Sequence, residues 1–267
     1  MKYNSPIKNH TGRYFTMTIL YFSATGNCLS VAKKLGGNLL SIPQLVKNEQ
    51  YEIEDEVIGV ICPTYCADAP RMVQQYLAKT KLKANYTFMI CTYGYMAGAA
   101  TDHAVKYLKA AAGHADYVAK IIMADTALTR FESQKQIDTL PEKHVDEQIE
   151  AVRADIEARK HNIPKVTLGD KAVDWLYHTA GASQIAPDKA KAHIVNDQCV
   201  LCGTCAKICP SDNIRVTDHV EFLDHCEGCL GCVHNCPKNA IHVKGERSNA
   251  RFRNPDVKLP ELIKANQ

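Results

Sequence analysis

Cys199-Val-Leu-Cys202-Gly-Thr-Cys205-Ala-Lys-Ile-Cys209-Pro210 is answered further along the chain by Cys226-Glu-Gly-Cys229-Leu-Gly-Cys232-Val-His-Asn-Cys236-Pro237. The two copies share one spacing, and each is followed by a matching pair, Asn213-Ile214 and Ala240-Ile241. A repeat so short and polar cannot bury a sizeable apolar core, so something other than hydrophobic burial must hold it. Metal centres supply that role. Structural zinc favours two C-x2-C pairs separated by a longer loop, which this spacing fits poorly. A disulfide framework belongs to secreted chains, and nothing marks this one as secreted.

The run C-x2-C-x2-C-x3-C-P resembles that of the bacterial two-cluster 4Fe-4S ferredoxins over residues 193–243, with every ligand position filled. The resemblance implies crossed ligation. Cluster I would take Cys199, Cys202, Cys205 and Cys236, and cluster II would take Cys226, Cys229, Cys232 and Cys209. Three thiolates two residues apart can wrap a cluster face, while the following proline turns the chain and sends the fourth sulfur elsewhere. Glycines at 203, 228 and 231 suit loops whose amides approach sulfur.

Outside this segment the chain changes character. It has 267 residues, 46% hydrophobic and 23% charged, with 12 Cys, and this length can bury a core without disulfide staples. Collagen-like and wholly disordered classes are excluded. The net charge of +3 is too small to imply nucleic acid as a partner. No apolar run approaches the ~18 residues of a transmembrane segment, and residues 1–16 lack a signal-peptide core, so the expected location is cytoplasmic.

Residues 17–162 alternate strand-like and helix-like runs, the pattern of an α/β open parallel sheet covered on both faces. Five strands are expected at Thr18–Phe22, Asn38–Ile42, Val57–Ile61, Tyr86–Cys91 and Tyr117–Met123. Helices are expected at Gly26–Leu35, Arg71–Lys79 and Ala100–Ala112. Val145, Ile149, Val152 and Ile156 put one apolar stripe on a last helix. Ahead lies a polar segment, 1–16, read either as a disordered leader or as residues ahead of a true start at Met17. Behind lies a linker, 163–192, with a short helix near Lys171–Thr179 in which Trp175 reads as a packing anchor. The tail, 244–267, carries Lys244, Arg247, Arg251, Arg253, Lys258 and Lys264 against Glu246, Asp256 and Glu261, a net +3. It is expected to be an ordinary solvated tail rather than a basic strap on the acidic cysteine segment.

Three loops follow strand ends. Ser23-Ala24-Thr25-Gly26-Asn27-Cys28 offers hydroxyls and amides at a helix N-terminus, a phosphate cradle that needs neither a Walker lysine nor G-x-G-x-x-G. Cys62-Pro63-Thr64-Tyr65-Cys66 and Cys91-Thr92-Tyr93-Gly94-Tyr95 would meet it at the switch point of the sheet. Together the three resemble the flavodoxin family, whose doubly wound parallel sheet the resemblance implies. It further implies FMN, with Ser23, Thr25, Gly26, Asn27 and Cys28 at the phosphate. Pro63, Thr64 and Tyr65 would flank one side of the ring, and Thr92, Tyr93 and Gly94 the other. Cys28 departs from the threonine common in flavodoxins, and a thiol is the poorer donor. The remaining cysteines of this half, Cys62, Cys66 and Cys91, read as small packed thiols.

The order flavodoxin-like domain, linker, small α+β 2[4Fe-4S] domain resembles the flavodoxin–ferredoxin fusion proteins of anaerobes. The resemblance implies a cytoplasmic iron–sulfur flavoprotein, an electron-transport oxidoreductase serving redox partner proteins. Two alternatives stand beside it: a ferredoxin with a flavin-free docking scaffold, and a reductase with its own small-molecule substrate. No constellation reads as a catalytic acid or nucleophile.

Overall fold

The computed structural model describes residues 7–8, 12, 14–179 and 187–267. The remainder of the leader and of the linker lies outside the described residues. Five parallel strands form the central sheet: β1 (Met17–Tyr21), β2 (Asn38–Ser41), β3 (Val57–Pro63), β4 (Tyr86–Tyr93) and β5 (Tyr117–Ile122). Their order is β2-β1-β3-β4-β5, the flavodoxin-like winding. Register pairs such as Leu20 with Val60 and Cys62 with Cys91 align the strand ends where the three loops begin. Both faces are covered, which is why β3 and β4 read as continuous apolar runs rather than alternating ones.

Helices α1 (Asn27–Leu35), α2 (Ile42–Lys47), α3 (Arg71–Lys79), α4 (Ala100–Ala112) and α5 (Val145–Glu157) flank the sheet. Val31, Ile149, Val152 and Ile156 belong to the core on one face, and Val73, Leu77, Ala104 and Leu108 to that on the other. The expected stripe on α5 is therefore core packing. Three small elements escape the sequence reading: α2, the helix Ser133–Asp138, and a parallel pair of Glu52–Glu54 with Lys81–Lys83. All are too short for periodicity to register. At the end of the leader, Tyr14–Phe15 pairs with Ile7–Lys8, and Phe15 is buried. The expectation of a disordered leader therefore does not extend to these residues.

Helix α6 (Leu168–Thr179) contains the helix expected in the linker, but Trp175 is 66% exposed and is no packing anchor. The helix is held by other contacts: the His103 ring lies 2.9 Å from Asp174, and the Thr101 hydroxyl reaches the Pro164 carbonyl just ahead of it.

The cysteine segment forms two antiparallel pairs, β6 (His193–Val195) with β9 (Ile241–Val243) and β7 (Ile214–Val216) with β8 (Val220–Phe222). Between them lie the short helices α7 (Thr204–Ile208) and α8 (Gly231–His234).

The tail is not solvated. Phe252, Val257 and Leu262 are buried, and α9 (Leu259–Asn266) packs on α2 and α7. Gln44 and Lys47 donate to the Lys264 and Asn266 carbonyls at 2.6 and 2.7 Å, and the Ser41 hydroxyl donates to that of Ala265. Among the described residues the tail's acids, not its bases, make the ion pairs to the first half: Asp256 with Lys34 and Glu261 with Lys33, each at 2.7 Å. A count of charges hid the few apolar residues that dock the segment, since burial rather than net charge decides whether a tail packs.

Candidate functional site

The first loop leaves β1 and turns at Gly26, whose φ of 98° is the left-handed conformation that glycine adopts without strain. A Cβ there would lie 3.0 Å from that of Asn254, so the tail runs directly over the turn. Asn254 donates its backbone N–H to the Thr25 carbonyl at 2.8 Å and its side-chain amide to Asn27 Oδ1 at 3.2 Å. Asn27 in turn donates to the Ala124 carbonyl, and the Ser23 hydroxyl accepts the Leu29 N–H. Cys28 is fully buried, its sulfur 3.2 Å from the Thr92 hydroxyl, and burial pushes its thiol up to about 12. It ties the first loop to the third.

The second and third loops run side by side, Thr64 donating its N–H to the Thr92 carbonyl at 2.8 Å. Tyr65 and Asp68 close a tight turn through Cys66 and Ala67, both at positive φ. Asp68 holds that turn by accepting from the Ala69 N–H and the Tyr107 hydroxyl. Gly94 is required by proximity: a Cβ would fall 2.3 Å from that of Asp125. Below it, the Lys143 ammonium donates to the carbonyls of Met123 and Gly94 and to Gln136, and burial lowers its pKa. Burial raises the carboxyl of Asp125. Neither residue was singled out from sequence, because nothing local marks a lone Asp or Lys that serves a loop on another strand.

The three loops enclose a cavity of about 640 Å³, within the range of cofactor pockets. Of the eleven residues expected at the flavin, all but Gly26 line it; Gly26 faces the tail instead. The Thr64 hydroxyl is buried with no hydrogen-bond partner among the described residues, a donor and acceptor aimed at whatever fills the space. These features fit FMN.

The eight repeat cysteines fall into two groups. Cys199, Cys202, Cys205 and Cys236 line one small cavity, and Cys209, Cys226, Cys229 and Cys232 line another. Backbone N–H groups point at the sulfurs: Asn213 to Cys209 at 3.2 Å, Gly228 to Cys226 and Ala240 to Cys236 at 3.3 Å. The Thr204 hydroxyl, 3.3 Å from Cys202, lowers that thiol's pKa. Burial raises those of Cys229 and Cys232, so holding them as thiolates requires a compensating positive charge. Soft thiols with amide donors behind them fit iron–sulfur cages.

Cys229 lines both the second cage and the large cavity. Its neighbourhood is clamped to the sheet: Glu227 pairs with Arg71, and Asn235 donates to the Ala24 carbonyl. Burial pushes His234 down to about 4, so its ring is neutral, with Nε2–H donating to the Thr126 carbonyl and Nδ1 accepting from Phe252.

A 4Fe-4S binding domain model matches residues 192–215. A 49-residue stretch is 41% identical to pyruvate synthase subunit PorD of Methanocaldococcus jannaschii, covering 17% of this chain and 57% of that protein, under two thirds of its length. The corresponding subunit of Methanothermobacter marburgensis is 32% identical over 57 residues, 21% of this chain and 69% of that one. With the strand order above, these matches decide the family. The chain belongs to the flavodoxin–ferredoxin fusions. Solved structures similar to the flavodoxin-like half of this fusion include a flavoprotein in complex with FMN from Lactobacillus acidophilus, 12% identical over 48% of this chain and 99% of that chain, TM-score 0.31. Rubredoxin oxygen:oxidoreductase from Desulfovibrio gigas is 13% identical over 53% of this chain and 37% of that chain, also at 0.31. The flavodoxin-like assignment of the fusion rests on its strand order rather than on these scores. No helix among its described residues is long and apolar enough to cross a membrane.

Proposed function

We propose that this fusion is a cytoplasmic electron-transfer protein that binds one FMN in the three-loop cavity and two 4Fe-4S clusters in the cysteine cages. The observation that carries the proposal is the position of Cys229, a ligand of one cage and a wall of the other site. Flavin can hold one or two electrons and a cubane exchanges one, so adjacency of the two converts single-electron steps into paired ones. Cluster I takes Cys199, Cys202, Cys205 and Cys236; cluster II takes Cys209, Cys226, Cys229 and Cys232.

The work of the chain is positioning. Ser23, Thr25 and Asn27 present hydroxyl and amide groups to one phosphate at the N-terminus of α1, where the helix end supplies partial positive charge. Pro63, Thr64 and Tyr65 and, beside them, Thr92, Tyr93 and Gly94 line the ring site, with Thr64 supplying the unpartnered hydroxyl. The G-x-G-x-x-G turn that would let a pyrophosphate approach the backbone is absent, which favours FMN over FAD or a nicotinamide dinucleotide. Visible spectra and iron, sulfide and flavin analyses of protein purified without oxygen test the reading. The expected result is one flavin with two clusters per chain. Clusters without flavin uptake at micromolar FMN would leave a ferredoxin on a flavodoxin-like scaffold.

A further inference from the structure

Resting on that reading, we propose a fixed order for the relay: cluster II is the inner station beside the flavin, and cluster I is the port at which an acidic redox protein docks. The asymmetry of the two cages carries the inference. Cys229 stands in the wall of the flavin cavity and packs into the flavodoxin-like core with Tyr65, while no cluster I cysteine lines that cavity. The cluster II loop is also clamped, Glu227 accepting from Arg71 and from the Met72 N–H at the start of α3. Cluster I faces outward. Cys202 is exposed, and the two residues before it, Val200 and Leu201, are 58% and 41% exposed although both line that cage. An apolar lip beside a redox centre suits close approach by another protein.

Charge selects the kind of partner. Lys207, whose charge acts on Cys202, and Lys238, which lines the cage, are exposed, and neither forms an ion pair among the described residues. Asp197, two residues before Cys199, is the acid nearest in sequence. Other acids of this half are placed elsewhere: Asp212 pairs with Lys47 and Glu227 with Arg71, Glu221 stands opposite Arg215 in the β7–β8 pair, and Asp218 and Asp224 lie beside their neighbouring histidines. A negative net charge for the segment thus leaves a basic, apolar-lipped mouth, complementary to an acidic electron carrier.

The port is tested on the iron- and FMN-loaded protein with a reduced acidic bacterial ferredoxin as donor and dithionite as control. Lys207→Glu should slow reduction by the ferredoxin several-fold at low ionic strength, with the gap closing as salt rises, and slow reduction by the small dithionite anion less. An unchanged or faster ferredoxin reaction overturns the port. The order is tested by redox titration followed by paramagnetic resonance. Thr204→Val perturbs the signal of cluster I and Glu227→Gln that of cluster II, which assigns the two. Adding FMN to flavin-depleted protein should then shift the midpoint of the Glu227-sensitive signal only. A shift of the Thr204-sensitive signal, or of neither, overturns the order. Failure to take up FMN with both clusters intact would instead remove the underlying reading, and the proposed order with it.

Discussion

The Glu227 carboxylate spans the two halves of the chain, with Oε1 lying 3.2 Å from Arg71 Nε and 3.1 Å from Nη2 while Oε2 accepts the Met72 N–H at 3.1 Å. The Glu227 side chain is 4% exposed and that of Arg71 22%, so this is a nearly buried pair with every carboxylate oxygen satisfied. Its position ties the loop carrying Cys226 and Cys229 to the helix that follows the second of the three loops.

Removing one partner should therefore cost more than an ordinary surface pair. Arg71→Ala strands a buried carboxylate and is expected to lower stability by about 2–3 kcal/mol, reduced from the fully buried case because the guanidinium is partly wet. The double change Arg71→Met with Glu227→Leu should recover most of the loss. Denaturant unfolding of the four members of the cycle measures the coupling directly, and additive losses would contradict it.

Gly59 lies in the middle of β3 with the Phe88 ring against it, and a Cβ there would fall 2.0 Å from the ring. Gly59→Ala should overpack this layer and destabilise by about 1–3 kcal/mol. Phe88→Leu in the same background is expected to restore part of it, as read from the urea midpoint. If the alanine variant unfolds like the parent, the ring has room that the packing does not show.

Iron analysis should find about eight iron and eight sulfide per chain, as two cubanes require. Cys209→Ala should damage the cluster held otherwise by Cys226, Cys229 and Cys232, and Cys236→Ala the one held by Cys199, Cys202 and Cys205. Paramagnetic resonance of the two variants distinguishes crossed from uncrossed ligation, and the reverse pattern would refute the assignment.

Thr25→Glu should abolish FMN uptake, since a carboxylate would face a phosphate dianion at close range. Iron content should persist, because the cages are built by other residues. Retained FMN affinity in this variant, measured by flavin fluorescence, would place the phosphate elsewhere.

Cys28 should resist alkylation. An ordinary thiol ionises near 9, whereas burial holds this one protonated to about 12. Raising the pH from 8 to 10 should label exposed thiols fully and leave Cys28 unmodified, as mass spectrometry of the intact protein would show. Because the folded value is raised, its contribution to stability is whole below pH 9 and declines between 9 and 12. Rapid labelling of Cys28 at pH 8 would mean that the first and third loops open readily.

The parts legible in the chain were those encoded by neighbours. Spacing of cysteines two and three residues apart marks a wrapped cage because covalent geometry alone limits what such thiols can hold. Strands such as Tyr86–Tyr93 and the loops after them announce themselves by a run of apolar residues ending in hydroxyls and glycine. Trp175 shows the limit: a large aromatic in a helix reads as core, yet whether it is covered depends on what lies opposite, and here it is left exposed.

By itself, then, the sequence determined the parallel sheet, the three loops and the cysteine repeat, since each is a local pattern of period, turn chemistry or ligand spacing. Tertiary structure alone decided that the tail docks through Asn254 onto Thr25 and Asn27, and that Asp125 and Lys143 brace Gly94. It also decided that Cys229 enters the wall of the three-loop cavity. These are contacts between residues far apart in the chain, and their energy comes from burial and hydrogen-bond geometry that exist only once both partners have been brought together.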